Sequence, residues 1–141
     1  MKQVRILLVE DNEGDIVLTR DAFEEGKIKT QISVAKNGQD ALDFLYQRGA
    51  HSNAEKPDLI LLDINIPIIS GLEVLEEIKA DEVLKKIPVI ILTTSSNEKD
   101  IDLAYHRHAN SYIIKPIEFE DFLKAVLKIE EFWLQLTTLA R

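Results

Sequence analysis

The sequence predicts an α/β fold, a doubly wound sandwich built on a five-stranded parallel sheet. Short continuous apolar runs alternate with longer stretches of helical period, which is how strand-helix-strand units appear in a sequence. The run Leu59-Ile60-Leu61-Leu62 is apolar at every position, as a strand covered on both faces must be. Five strands alternating with five helices, joined by right-handed crossovers, leave few other arrangements.

The first strand spans Val4 to Val9 and runs straight into Glu10-Asp11. Asn12 or Glu13 opens the first helix, whose inner stripe reads as Ile16, Val17, Arg20 and Phe23. Gln31 to Ala35 form the second strand, and Asn37-Gly38 leads into a helix with Ala41, Leu42 and Leu45 on one face, ending near Gly49. The polar, breaker-rich segment from Gly49 to Pro57 reads as a mobile loop with His51 solvated in it. Asp58 to Leu62 form the third strand. Ser70 is a natural N-cap for the third helix, which buries Leu72, Leu75 and Ile78 at spacings of three, and Gly71 permits its tight entry. After the fourth strand, Val89 to Thr93, Ser95 and Glu98 stand at capping-box spacing before a helix that shows Ile101, Ala104 and Tyr105. Ser111 to Ile114 form the fifth strand. The last helix runs from about Glu118 to beyond Trp133, presenting Phe119, Phe122, Leu123, Val126 and Ile129.

With 141 residues the chain is one domain with a real core, too short for a separate output module of normal size. The net charge of -8, from 17 Lys+Arg against 25 Asp+Glu, disfavours nucleic acid and anionic membrane surfaces and favours a protein partner. Without cysteine there is no disulfide framework or thiolate metal site, and a reducing, cytoplasmic setting is expected. The apolar stretch near the start is too short for a signal-peptide core or a membrane span.

In an open parallel sheet the carboxyl ends of the strands all face one crevice. Glu10 and Asp11 follow the first strand, Asp63 the third and Lys115 the fifth, while Thr93 ends the fourth. Three acids, one hydroxyl and one ammonium gathered there make a site for a divalent cation and a phosphoryl group. Acids so close repel one another unless a cation or extra protons intervene.

Together with Leu8-Val9-Glu10-Asp11-Asn12, the stretch from Pro57 to Pro67, Gly71, Leu92-Thr93 and Tyr112-Ile113-Ile114-Lys115-Pro116, these residues resemble a response-regulator receiver domain of the CheY type. The resemblance covers about residues 4–130 and implies a flavodoxin-like (βα)5 fold with strand order 2-1-3-4-5. It implies a receiver over residues 1–130, with 131–141 extending the last helix as a dimer contact. Asp63 would be the phosphoacceptor, attacking a phosphohistidine on a sensor histidine kinase or histidine phosphotransfer protein. The chain would be a signalling switch in a two-component phosphorelay rather than an enzyme, although it would catalyse its own phosphorylation and slow autodephosphorylation. Mg²⁺, or Mn²⁺ in its place, would be held by Asp11 and Asp63 directly, by Glu10 through water and by the backbone carbonyl of Asn65. Lys115 and Thr93 would bind phosphoryl oxygens. A cis Lys115-Pro116 bond would aim the lysine. Tyr112 would be the aromatic switch, turning inward when phosphate captures the Thr93 hydroxyl and remodelling the face of the fourth helix, fifth strand and fifth helix.

Three positions depart from the family's pattern. His108 precedes Ala109 where receivers commonly carry Gly, Glu10 replaces the more frequent Asp, and Thr94 is bulkier than the usual neighbour of Thr93. His106 and His108, two apart on a helix, lie on different faces and read as surface histidines rather than a metal pair. The tail cluster Phe132, Trp133, Leu134 and Leu136 is too apolar to leave exposed. Similar tails occur in stand-alone receivers that partner phytochrome-like histidine kinases, often as homodimers. The sequence weighs against two rivals: a phosphate-independent pseudo-receiver would not need Asp11, Asp63, Thr93 and Lys115 together. A flavodoxin-like cofactor binder or small phosphohydrolase would not want the acidic turn Glu10-Asp11-Asn12-Glu13.

Overall fold

The computed structural model describes residues 3–116 and 118–139, with side chains described as far as 134. The strands are β1 (Val4–Val9), β2 (Thr30–Ala35), β3 (Leu59–Leu62), β4 (Val89–Thr93) and β5 (Ser111–Ile114). The helices are α1 (Glu13–Glu25), α2 (Gly38–Leu45), α3 (Gly71–Ala80), α4 (Glu98–His106) and α5 (Phe119–Leu139). All strand pairs are parallel and the order is β2-β1-β3-β4-β5, as the resemblance implied. Val9 lies beside Leu62, Leu62 beside Ile91 and Thr93 beside Ile114. The chain therefore leaves β1, β3, β4 and β5 along a single edge.

Alternation along the strands assigns the two faces. Leu7, Val9, Ile60, Leu62, Val89 and Ile91 pack with Leu42 and Leu45 of α2, Leu75 and Ile78 of α3 and Ala104 of α4. On the other face Ile6, Leu8, Leu59, Leu61 and Ile90 meet Ile16 and Phe23 of α1 and Phe122, Val126 and Ile129 of α5. Each fully buried Leu or Ile contributes about 1.5–3 kcal/mol, so this core offsets the cost of burying charge at the sheet's edge.

Several local expectations need correction. The inner stripe of α1 is Ile16, Thr19, Ala22 and Phe23, while Val17 is 53% exposed and Arg20 faces out. Thr19 can be buried because its hydroxyl donates to the Asp15 carbonyl at 2.7 Å. The cap of α4 is Asn97, which accepts from Lys99 N at 2.9 Å, whereas the Ser95 hydroxyl turns to Asp100 Oδ2 at 2.6 Å. His108 adopts φ 68° and closes α4 through its own N–H to the Tyr105 carbonyl and that of Ala109 to the Ala104 carbonyl. That is the left-handed ending glycine usually supplies.

The segment after α2 makes defined local contacts. It contains a 3-10 turn, Gly49–His51, and the Gln47 side chain donates to the Ala54 carbonyl at 2.7 Å. His51 is half-buried, with Nε2 2.7 Å from Asp40 Oδ1 and its ring edge against Phe44, so it is not solvated as the sequence suggested. Phe132 and Trp133 continue α5 and pack, partly buried, against the α1/α5 side of the core, which accounts for part of the apolar tail, while Leu134 is exposed. The Leu136 side chain lies outside the described residues. Among the described residues no helix is long and apolar enough to cross a membrane.

Candidate functional site

The level carboxyl edge brings Glu10, Asp63, Thr93 and Lys115 together, all buried although they lie up to 105 positions apart. Asp63 is fixed by backbone first: its N–H donates to the Val9 carbonyl at 3.0 Å, and α3 begins directly beneath it. A Cβ on Gly71 would overlap the Asp63 carbonyl oxygen, so the glycine is needed for close approach of the helix to the strand end. Between them Ile68 has φ 73°, and Ile69 N donates back to the Pro67 carbonyl at 2.9 Å. A β-branched residue in such a turn is strained, and this one is 76% exposed.

Both oxygens of Asp63 are held. Oδ1 accepts the Thr93 hydroxyl at 2.7 Å and the Asn65 N–H at 3.1 Å; Oδ2 accepts from Lys115 Nζ at 2.9 Å. The ammonium also donates to Glu10 Oε1 and, at 2.9 Å, to Asp15 Oδ2, so its three protons meet three carboxylates. Glu10 Oε2 accepts from Asn12 N at 3.1 Å. Burial alone would lower the Lys115 pKa, but the hydrogen bonds to Glu10, Asp63 and Asp15 outweigh it and hold the group above the usual lysine range. Burial pushes the Glu10 carboxyl up to about 7 against the pull of Lys115, with the Asp63 charge adding to the rise. The site therefore carries more negative charge than one lysine satisfies.

Carboxylate oxygens of Glu10, Asp11 and Asp63 lie within 4.8 Å of one another, with Asp11 exposed at the rim. Such an all-oxygen set fits a hard divalent cation. His106 and His108 are exposed and join no such group among the described residues. The Lys115-Pro116 bond is trans, as is every peptide bond among the described residues, which overturns the cis expectation. Trans is favoured by about 0.5–1 kcal/mol before proline, and through it the ammonium already reaches its three partners.

Tyr112 packs half-buried against the α2-α3-α4 side of the core, and its hydroxyl donates to the Ser95 carbonyl at 2.8 Å. Ser95 N in turn points at Thr93 Oγ1 at 3.4 Å, so a chain of polar contacts runs from Asp63 through Thr93 and Ser95 to Tyr112. Sequence reasoning missed Asp15. The signal available was its place four residues after Asp11, but an acid in a first helical turn reads as a partner of the helix dipole.

The family description "Response regulator receiver domain" matches residues 6–127. The response regulator Rcp1 of Synechocystis sp. (strain ATCC 27184 / PCC 6803 / Kazusa) is 43% identical over 134 residues, covering 95% of this chain and 91% of that protein. The crystal structure of the phosphorylated cyanobacterial phytochrome response regulator RcpA superposes with a TM-score of 0.89 at 44% identity, covering 94% of this chain and 95% of that one. The crystal structure of Mn²⁺-bound Rcp1 gives 0.86 at 43% identity over 93% and 94%. The chain belongs to the response regulator receiver domain family of two-component signalling.

Proposed function

We propose that the chain accepts a phosphoryl group on Asp63 from a phosphohistidine of a partner kinase or phosphotransfer protein. An Asp63 oxygen attacks phosphorus, the P–N bond breaks, and the imidazole leaves with its electron pair, giving a mixed anhydride. The observation that carries this reading is the grip on both Asp63 oxygens, by Thr93 on one side and Lys115 on the other. Each donor needs to move only from the carboxylate to the oxygens of the group it receives. Glu10, Asp11 and Asp63, with the Asn65 carbonyl, would hold Mg²⁺ or Mn²⁺, and the ion would neutralise charge on the oxygens of the transferred phosphoryl group. The relatives' phytochrome association supports a phytochrome-type histidine kinase as the donor.

Drawing the Thr93 hydroxyl onto the phosphoryl group changes the contact to Ser95 and, through it, Tyr112. The α4-β5-α5 face then alters, and the output is a protein contact, including a homodimer through that face and the C-terminal extension, residues 131–141. Slow autodephosphorylation by water ends the signal. The test is incubation with acetyl phosphate and Mg²⁺ followed by intact-mass measurement. Wild type should gain one phosphoryl group and Asp63→Asn none; equal gain by both overturns the proposal.

A further inference from the structure

Lys115 is bound by three carboxylates that are not equivalent. Glu10 and Asp63 belong to the oxygen cluster that fits a cation; Asp15 does not. Asp15 also differs in origin. It sits in the first turn of α1, where its own N–H is fixed by Asn12 Oδ1 at 2.9 Å and its carbonyl by the Thr19 hydroxyl at 2.7 Å. Its carboxylate is thus presented from a helix anchored at both ends of that turn, and its side chain is 27% exposed against 3% for Lys115.

Resting on the phosphoacceptor reading above, we propose that Asp15 is a positioning residue that keeps Lys115 aimed at Asp63 throughout phosphoryl transfer. The lysine has a flexible four-carbon stem, and its ammonium is a point charge with no preferred plane. As Asp63 becomes phosphorylated and Glu10 faces the cation cluster, two of the three partners change. Asp15 alone can keep its hydrogen bond while the other protons of the ammonium turn to the phosphoryl oxygens. A purely structural alternative is that Asp15 serves the positive end of the α1 dipole. That role would affect helix stability and leave the chemistry of Lys115 untouched.

The experiment compares wild type, Asp15→Asn, Asp15→Ala and Asp15→Glu for phosphorylation by acetyl phosphate across a Mg²⁺ titration. The maximal rate should fall about tenfold in Asp15→Ala and less in Asp15→Asn, whose amide oxygen still accepts, with partial recovery in Asp15→Glu. The Mg²⁺ concentration for half-maximal rate should stay within about twofold of wild type. In metal-free buffer, a double-mutant cycle of Asp15→Asn with Lys115→Met in denaturant unfolding should show that the two substitutions are not additive. A normal maximal rate in Asp15→Ala overturns the proposal while leaving Asp63 as phosphoacceptor. So does a fall in rate matched by an equal shift in the Mg²⁺ requirement, or full additivity in the cycle. Failure of wild type to take up phosphate removes the phosphoacceptor reading and this role with it.

Discussion

The two ends of the sheet use the same ion-pair chemistry in opposite ways. At the carboxyl edge the Lys115 side chain is 3% exposed and meets Glu10, Asp15 and Asp63; at the other edge Arg5 pairs with Glu55, with side chains 40% and 66% exposed. Water already solvates the second pair, so bringing its charges together changes little. The first pays desolvation for every charge, and removing one partner strands the rest. The carboxyl edge also concentrates the tight glycine contact at Gly71 and the strained turn at Ile68. Cost gathers where a reactive group must be held, which is the pattern expected of a functional site.

The two ends should differ most at Lys115. In metal-free buffer Lys115→Met should lose about 3–5 kcal/mol of stability in denaturant unfolding, because Glu10 and Asp63 are left buried without a cation. A smaller loss, about 1–3 kcal/mol, is expected for Gly71→Ala, where the added methyl must displace the Asp63 backbone, and acetyl phosphate uptake should slow in parallel. Ile68→Gly should go the other way and raise stability by about 1 kcal/mol, since relief of the steric strain at φ 73° outweighs glycine's larger entropy loss on folding. Glu10 adds a pH test. Its folded pKa, about 7, lies above the usual 4.5, so the native state binds the proton more tightly. The resulting stabilisation is full below about 4.5 and is lost as pH rises through about 7, a slope that Glu10→Gln should flatten in metal-free unfolding curves. Least of all, Glu55→Gln at the opposite edge should change stability by no more than about 1 kcal/mol.

β3 and β4 were the most legible because their apolar runs are continuous, and Glu10, Asp63 and Lys115 stand just past strand ends while Thr93 closes its own strand. Glu10, Asp63, Thr93 and Lys115 could thus be brought together without coordinates. What the sequence hid depended on side-chain direction. Asp15 lies on a helix whose acids have several uses, and only its contact with Lys115 singles it out. Ser95 and Asn97 are both good caps, and the choice between them followed from the pull of Asp100 on the Ser95 hydroxyl. The isomer before Pro116 and the docking of His51 on Phe44 likewise rest on small differences in energy between local alternatives.

The proposed phosphoacceptor is Asp63, gripped on both oxygens, one of which would bridge to phosphorus in the new anhydride. Borohydride reduction of the acetyl phosphate-treated protein converts an aspartyl phosphate to homoserine, which peptide mass spectrometry can place in the sequence. Homoserine is expected at position 63 alone. Conversion at position 11, or at any site other than 63, would contradict it.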